Sequence, residues 1–234
     1  RQHRNIMIQA IVFDAVGTLI HVQPSVATIY AEVGARFGSR LDADSVQRRF
    51  HAAFARQDRL DEEAAWRTSE ERERARWRTI VGEVLDDVID IDGCFDALYG
   101  AFAQATCWSC EADAAELLPQ LHQRGLRLAM ASNFDARLPG VIAHMPALAG
   151  LDPIVVSSTV GWRKPAPQFF RAVAESLALP PEAILFVGDD HGNDFVGASE
   201  AGMRALLFDP RRRHLHLNEA RLDRLMELAI DKCW

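Results

Sequence analysis

The chain has 234 residues, of which 49% are hydrophobic and 25% charged, with a formal net charge of −7. That composition excludes a disordered chain, and the negative balance makes nucleic-acid binding unexpected. No apolar run approaches the roughly 18 residues of a membrane span, so a membrane partner is not expected either.

The basic start, Arg1 to Asn5, leads into the short apolar stretch Ile6 to Phe13 without a small-residue cleavage site. This does not read as a signal peptide, and the expected location is cytoplasmic. Ala10 to Phe13 is a β-branched and aromatic run that ends at Asp14, and it predicts a buried strand. From His21 to Thr106 the pattern changes. Amphipathic helices are expected over about Pro24–Phe37, Asp42–Gln57, Ser69–Val88 and Gly93–Thr106. Thr68-x-x-Glu71 fits a capping box for the third. Trp77, Ile80, Val81, Val84 and Leu85 supply its apolar stripe, and Glu70 to Arg76 reads as its solvated first turns. Cys107 and Cys110 spell C-x-x-C, but the segment before them looks helical, so neither a redox nor a zinc site is expected.

The strand signature then recurs. Leu126–Ala131 ends at Ser132, Ile154–Val156 at Ser157-Ser158, Ile184–Val187 at Gly188-Asp189, and Ala205–Phe208 at Asp209. Helical patterns over Asp113–Arg124 and Phe169–Leu177 fill the gaps. Alternating strands and helices predict an α/β protein with a doubly wound parallel sheet, Rossmann-like in its core. Ligands in such sheets bind at the carboxyl ends of the strands. The expected division is a core of residues 1–20 and 107–234, interrupted by an all-helical unit of residues 21–106.

Four motifs fall at those carboxyl ends. Phe13 to Leu19 presents Asp14 before a glycine turn. Ala131-Ser132-Asn133 offers a hydroxyl and backbone N–H groups. Gly161 to Pro167 carries Lys164 on a Pro-ordered loop, where Trp162 and Arg163 read as solvated turn residues. Val187 to Asp194 holds Asp189, Asp190 and Asp194 within a few residues. Carboxylates so close repel each other unless a cation is present. Their hard oxygen donors, with no cysteine among them, point to Mg²⁺ rather than Zn²⁺.

In this order, the four motifs resemble those of the haloacid dehalogenase superfamily, whose members are mostly phosphohydrolases. The segments SNFDARL and GWRKPAPQFF look most like an uncharacterised subfamily of dehalogenase-like hydrolases. The resemblance spans the chain, and the helical insertion resembles the family's cap domain. It implies that Asp14 is the nucleophile and a metal ligand. It adds the Val16 backbone carbonyl and Asp189 as further ligands, with Asp194 supporting the metal shell through water. Thr18, Ser132 and Asn133 would hold the anion or shape its pocket, and Lys164 would neutralise Asp14 and the transferring group. The implied partner is a small phosphorylated molecule; no oligomeric state is specified.

One position departs from the pattern. Family phosphatases carry a second Asp two residues after the nucleophile, where this chain has Val16. A general acid there is typically worth ~10²–10⁴ in rate. His191 is a candidate to transfer protons instead. Two alternatives stay open: a weakly active or non-catalytic binding protein, and a 2-haloacid dehalogenase. A dehalogenase would need an Arg from the first cap helices to receive halide; His51 aligns there, with Arg48 and Arg49 nearby.

Overall fold

The computed structural model describes residues 7–230. The basic start of the chain and Cys233 lie outside the described residues.

Five apolar runs form the strands expected of them: β1 (Ala10–Phe13), β4 (Arg127–Ser132), β5 (Ile154–Val156), β6 (Ile184–Gly188) and β7 (Arg204–Phe208). A two-residue strand, β8 (Arg221–Leu222), completes a parallel sheet of order β5-β4-β1-β6-β7-β8. β1 lies at its centre, pairing with β4 and β6.

The period of two splits the side chains between the faces. Ile11 and Phe13 join one core cluster with Leu117 and Leu121 of helix α5 (Ala114–Gln123). Ala10 and Val12 join the other, with Phe169, Phe170 and Val173 of helix α8 (Pro167–Leu177). Both faces are covered, which is why these strands are apolar throughout rather than alternating.

Between β1 and β4 the chain leaves the sheet through two short antiparallel strands, β2 (Ile20–Val22) and β3 (Trp108–Cys110). Neither strand is expected from the sequence, because three residues are too few to show a period. Four helices separate them: α1 (Val26–Arg36), α2 (Ala43–Glu63), α3 (Glu70–Val84) and α4 (Ile91–Ala101). They share their own core of Ile29, Tyr30, Val46, Ile80, Val84 and Leu98. Each opens on a side-chain cap, from Ser25, Asp42, Ser69 and Asp90 in turn. Such caps are each worth about 1 kcal/mol.

Two helical expectations need correction. The N-cap of α3 is Ser69, not Thr68, whose hydroxyl instead donates to Glu73 Oε1 at 2.7 Å. The first turns of α3 are not all solvated: Glu73 is 2% and Arg76 4% exposed. Residues 73, 76, 80 and 84 follow the helical repeat, so these two charges lie on the inward stripe with Ile80 and Val84. α2 also runs past Gln57, carrying Asp58 and Asp61 to Arg76 at 2.6 and 2.9 Å.

The remaining helical segments, α6 (Leu138–Ile142), α7 (Ser157–Val160) and α9 (Gly197–Glu200), are short. α9 continues a π-helical turn over His191–Val196. Among the described residues no helix is long and apolar enough to cross a membrane.

Candidate active site

β1, β4 and β6 are neighbours and parallel, so their carboxyl ends open onto one place. Asp14 extends the β1 ladder by one residue, its N–H donating to Val187 O at 2.8 Å. Asp189 follows β6. Asp194 is brought back toward β6 by the π-helical turn. Oxygens of the three carboxylates lie within 4.8 Å of one another.

Two glycines make that approach possible. Gly17 has φ +93°, and a Cβ there would stand 2.5 Å from the Asp189 carboxylate. A Cβ on Gly188 would stand 2.2 Å from Asp194 Oδ2. Any other residue at either position would displace an acid.

Lys164 enters from the loop before α8. Its ammonium donates to Asp14 Oδ1 at 2.5 Å, Asp194 Oδ1 at 2.6 Å and Ala131 O at 3.3 Å. Those three bonds use its three protons. Burial pulls this ammonium down, but Asp14 and Asp194 outweigh it and hold the group above its ordinary value. Asn133 grips the backbone of the same lysine from both sides. Its Nδ2 donates to Lys164 O at 3.0 Å, and its Oδ1 accepts from Lys164 N–H at 2.7 Å.

Three carboxylates therefore face one ammonium, leaving an excess of two negative charges. Burial and then the Asp14 charge push Asp189 up to about 7, with Lys164 opposing. Burial likewise raises Asp194 against the pull of Lys164. A hard divalent cation would relieve this, and the all-oxygen donor set fits Mg²⁺. Asp189 is the carboxylate best placed for direct ligation, since its recorded side-chain partner is the Thr18 hydroxyl at 3.4 Å. Asp194 is committed at both oxygens, to Lys164 and to Asp190 N–H at 3.0 Å.

Each expected residue can now be placed. A cleft of about 230 Å³ is lined by Asp14, Val16, Ser132, Asn133, Lys164, Asp189 and Asp194, among others. Thr18 is fully buried behind this cleft rather than lining it. Val16 is 38% exposed at the rim. Asp190 caps the π-helical turn, accepting from Gly192 and Asn193 N–H at 2.9 and 2.8 Å. His191 stacks on His214 with ring centroids 4.9 Å apart and does not line the cleft. His51 bonds Gln47, Arg48 bonds Ser45, and Arg49 bonds Asp86; none of the three lines the cleft. Cys107 and Cys110 are free thiols.

Sequence reasoning misplaced Arg163. It is not a solvated turn residue but 5% exposed, bonded to Glu73 and 3.5 Å from Asp61. Trp162 is half-buried and bridges to Arg67. Two backbone bonds join the same segments, Thr68 N–H to Gly161 O at 3.0 Å and Arg163 N–H to Trp66 O at 2.8 Å. The loop that carries Lys164 is thus stitched to the start of α3. The signal was present in the spacing of Glu73, which falls on the buried stripe of its helix.

Three clustered carboxylates and a buried lysine at the carboxyl edge of a doubly wound sheet are the arrangement expected of a hydrolase of the α/β class. The comparisons agree: the chain belongs to the haloacid dehalogenase-like hydrolase family, whose profile matches residues 8–202. Human haloacid dehalogenase-like hydrolase domain-containing protein 3 is 25% identical over 210 residues, covering 88% of this chain and 83% of that protein. Phosphatase MT3486 of Mycobacterium tuberculosis is 31% identical over 137 residues, covering 58% of each. The magnesium-bound HAD-hydrolase YfnB of Bacillus subtilis shares the fold, with a TM-score of 0.75 at 19% identity, over 95% of this chain and 97% of that one.

Proposed function

We propose that this chain is a Mg²⁺-dependent phosphohydrolase acting on a small phosphate monoester in the cytoplasm, with the four helices between β2 and β3 serving as its cap. The observation that carries the reading is the contact of Lys164 Nζ with Asp14 Oδ1 and Asp194 Oδ1, at 2.5 and 2.6 Å, beside the Asp189 carboxylate. A phosphate dianion could not approach Asp14 without such positive charge.

In this reading the Asp14 carboxylate attacks phosphorus, the bond to the leaving oxygen breaks, and water then hydrolyses the aspartyl-phosphate. Lys164 holds Asp14 in position and stabilises charge on the transferring oxygens. Asn133 fixes Lys164 through its backbone. Ser132, 2% exposed at the end of β4, contributes its hydroxyl to the phosphate pocket. When bound, Mg²⁺ would neutralise charge on the phosphoryl group and Asp14. Asp14, the Val16 carbonyl and Asp189 would hold it, and Asp194 would support its water shell. The dehalogenase alternative loses support because His51, Arg48 and Arg49 all lie away from the cleft. The free thiols of Cys94, Cys107 and Cys110 suit a reducing compartment.

The test is turnover of acetyl phosphate and 4-nitrophenyl phosphate with Mg²⁺, in EDTA, and in Asp14→Asn. Turnover that needs both Mg²⁺ and Asp14 supports the reading. Halide release from a 2-haloacid in EDTA, without phosphatase activity, would replace it with the dehalogenase reading.

A further inference from the structure

A second cavity, of about 280 Å³, adjoins the acidic cleft. Val16, Phe54 and Asn133 line both, so the two spaces meet at the rim of the site. The helices between β2 and β3 contribute most of its wall, through Tyr30, Phe50, Phe54, Trp77, Val81 and Phe95. Arg137 is its one charged lining side chain among the described residues. Each nitrogen of that guanidinium already donates, Nε and Nη2 to Asp135 at 2.8 and 2.7 Å and Nη1 to Tyr99 O at 2.8 Å. Its flat face lies 3.5 Å from the Tyr99 ring centroid. Its charge is paired with Asp135, so it presents no uncompensated cation to the cavity. Burial raises the Tyr30 phenol well above its ordinary value, as an apolar surrounding would.

Apolar cavities of about 150 Å³ stay dry and accept benzene, so this one has room for roughly two aromatic rings. A sugar or nucleoside would bury hydroxyls here with few partners, at a cost in binding. The reacting end imposes a second condition. Position 16, where family phosphatases carry a second Asp, supplies no acid to the departing oxygen, which favours a leaving group that is stable as an anion. A phenol-like alcohol meets both conditions.

We infer that this cavity receives the organic half of the substrate, and that the substrate class is the monophosphate ester of an apolar aryl alcohol of about two rings. This rests on the phosphohydrolase reading above.

The test compares 2-naphthyl phosphate, phenyl phosphate and O-phosphotyrosine in Mg²⁺. Their phenols are of similar acidity but differ in what must enter the cavity. Expected is a kcat/KM at least tenfold higher for naphthyl than for phenyl, and at least tenfold lower for phosphotyrosine than for phenyl. Val81→Trp fills the cavity from α3 and should cut the naphthyl-to-phenyl ratio at least fivefold. If that variant fails to melt cooperatively, Val26→Phe fills the same space from the start of α1. Equal kcat/KM for all three esters, with acetyl phosphate turned over, overturns the inference while the phosphohydrolase reading stands. If no phosphate is turned over, the reading fails and calorimetry with 2-naphthol decides the cavity. Saturable binding weakened tenfold by Val81→Trp supports an aryl subsite; no saturable binding in the unmodified protein removes it.

Discussion

The guanidinium of Arg163 is bound by the Glu73 carboxylate, 90 residues away, and both side chains are buried. The next residue, Lys164, points to the opposite partner set, Asp14 and Asp194. One loop thus spends two adjacent cations on two different elements. The first ties α3 to the loop, and the second serves the site.

Breaking the Arg163–Glu73 pair should be costly, because it leaves a buried charge without its closest partner. Arg163→Met or Glu73→Leu alone is expected to lose about 3–5 kcal/mol in urea unfolding. The double variant should lose less than the two single losses added, with a coupling of about 1–3 kcal/mol. Additive losses in the double variant would mean that the two side chains do not act as a pair.

Lys164→Ala should remove activity and stability together. Turnover is expected to fall ~10²-fold or more, since the group that balances Asp14 is lost. Lys164 is only 2% exposed and holds two carboxylates, so its removal also strands buried charge. A loss of about 3 kcal/mol would lower Tm by about 6 °C or more in a chain of this size. Unchanged kcat, measured well below the variant's Tm, would take Lys164 out of the chemistry.

The acids should divide by how fully they are engaged. Asp194 gives both oxygens to Lys164 and Asp190 N–H, whereas Asp189 accepts a long contact from the Thr18 hydroxyl at 3.4 Å. Asp189→Asn should therefore weaken Mg²⁺ binding more than Asp194→Asn, and Asp194→Asn should lower Tm more. Gly188→Ala should resemble the second change, because its Cβ would enter the space of Asp194 Oδ2. Isothermal titration with Mg²⁺ and thermal melts check all three.

Val16→Asp should broaden the substrates accepted. The side chain is similar in size and stands half-exposed at the cleft rim. Alkyl phosphate kcat/KM is expected to rise ~10-fold or more, with a smaller gain on aryl phosphates. Equal rates on alkyl and aryl esters in the unmodified protein would mean that another group already protonates the leaving oxygen.

The sheet and its acids were legible because each is a local pattern. Five apolar runs that end in a polar residue are strands whatever their neighbours do, and the order of those endings brings Asp14, Ser132 and Asp189 to one edge. Lys164 and the helical insertion were readable for the same reason. The strands β2, β3 and β8 were not, because two or three residues carry no period. The role of Asn133 was not either, since its amide is used on the backbone of a residue 31 positions later.

The sequence by itself determined an α/β core, a helical insertion and a cluster of carboxylates at the strand ends, since periodicity and residue chemistry act over short stretches of chain. Only the tertiary structure decided that Arg163 and Glu73 are buried partners, that Val16 sits between an acidic cleft and an aromatic cavity, and that His191 turns toward other histidines. Those outcomes depend on how the helices pack against the strand ends. Whether a charged or apolar side chain meets water or a partner there is set by residues far along the chain, beyond the reach of any local pattern.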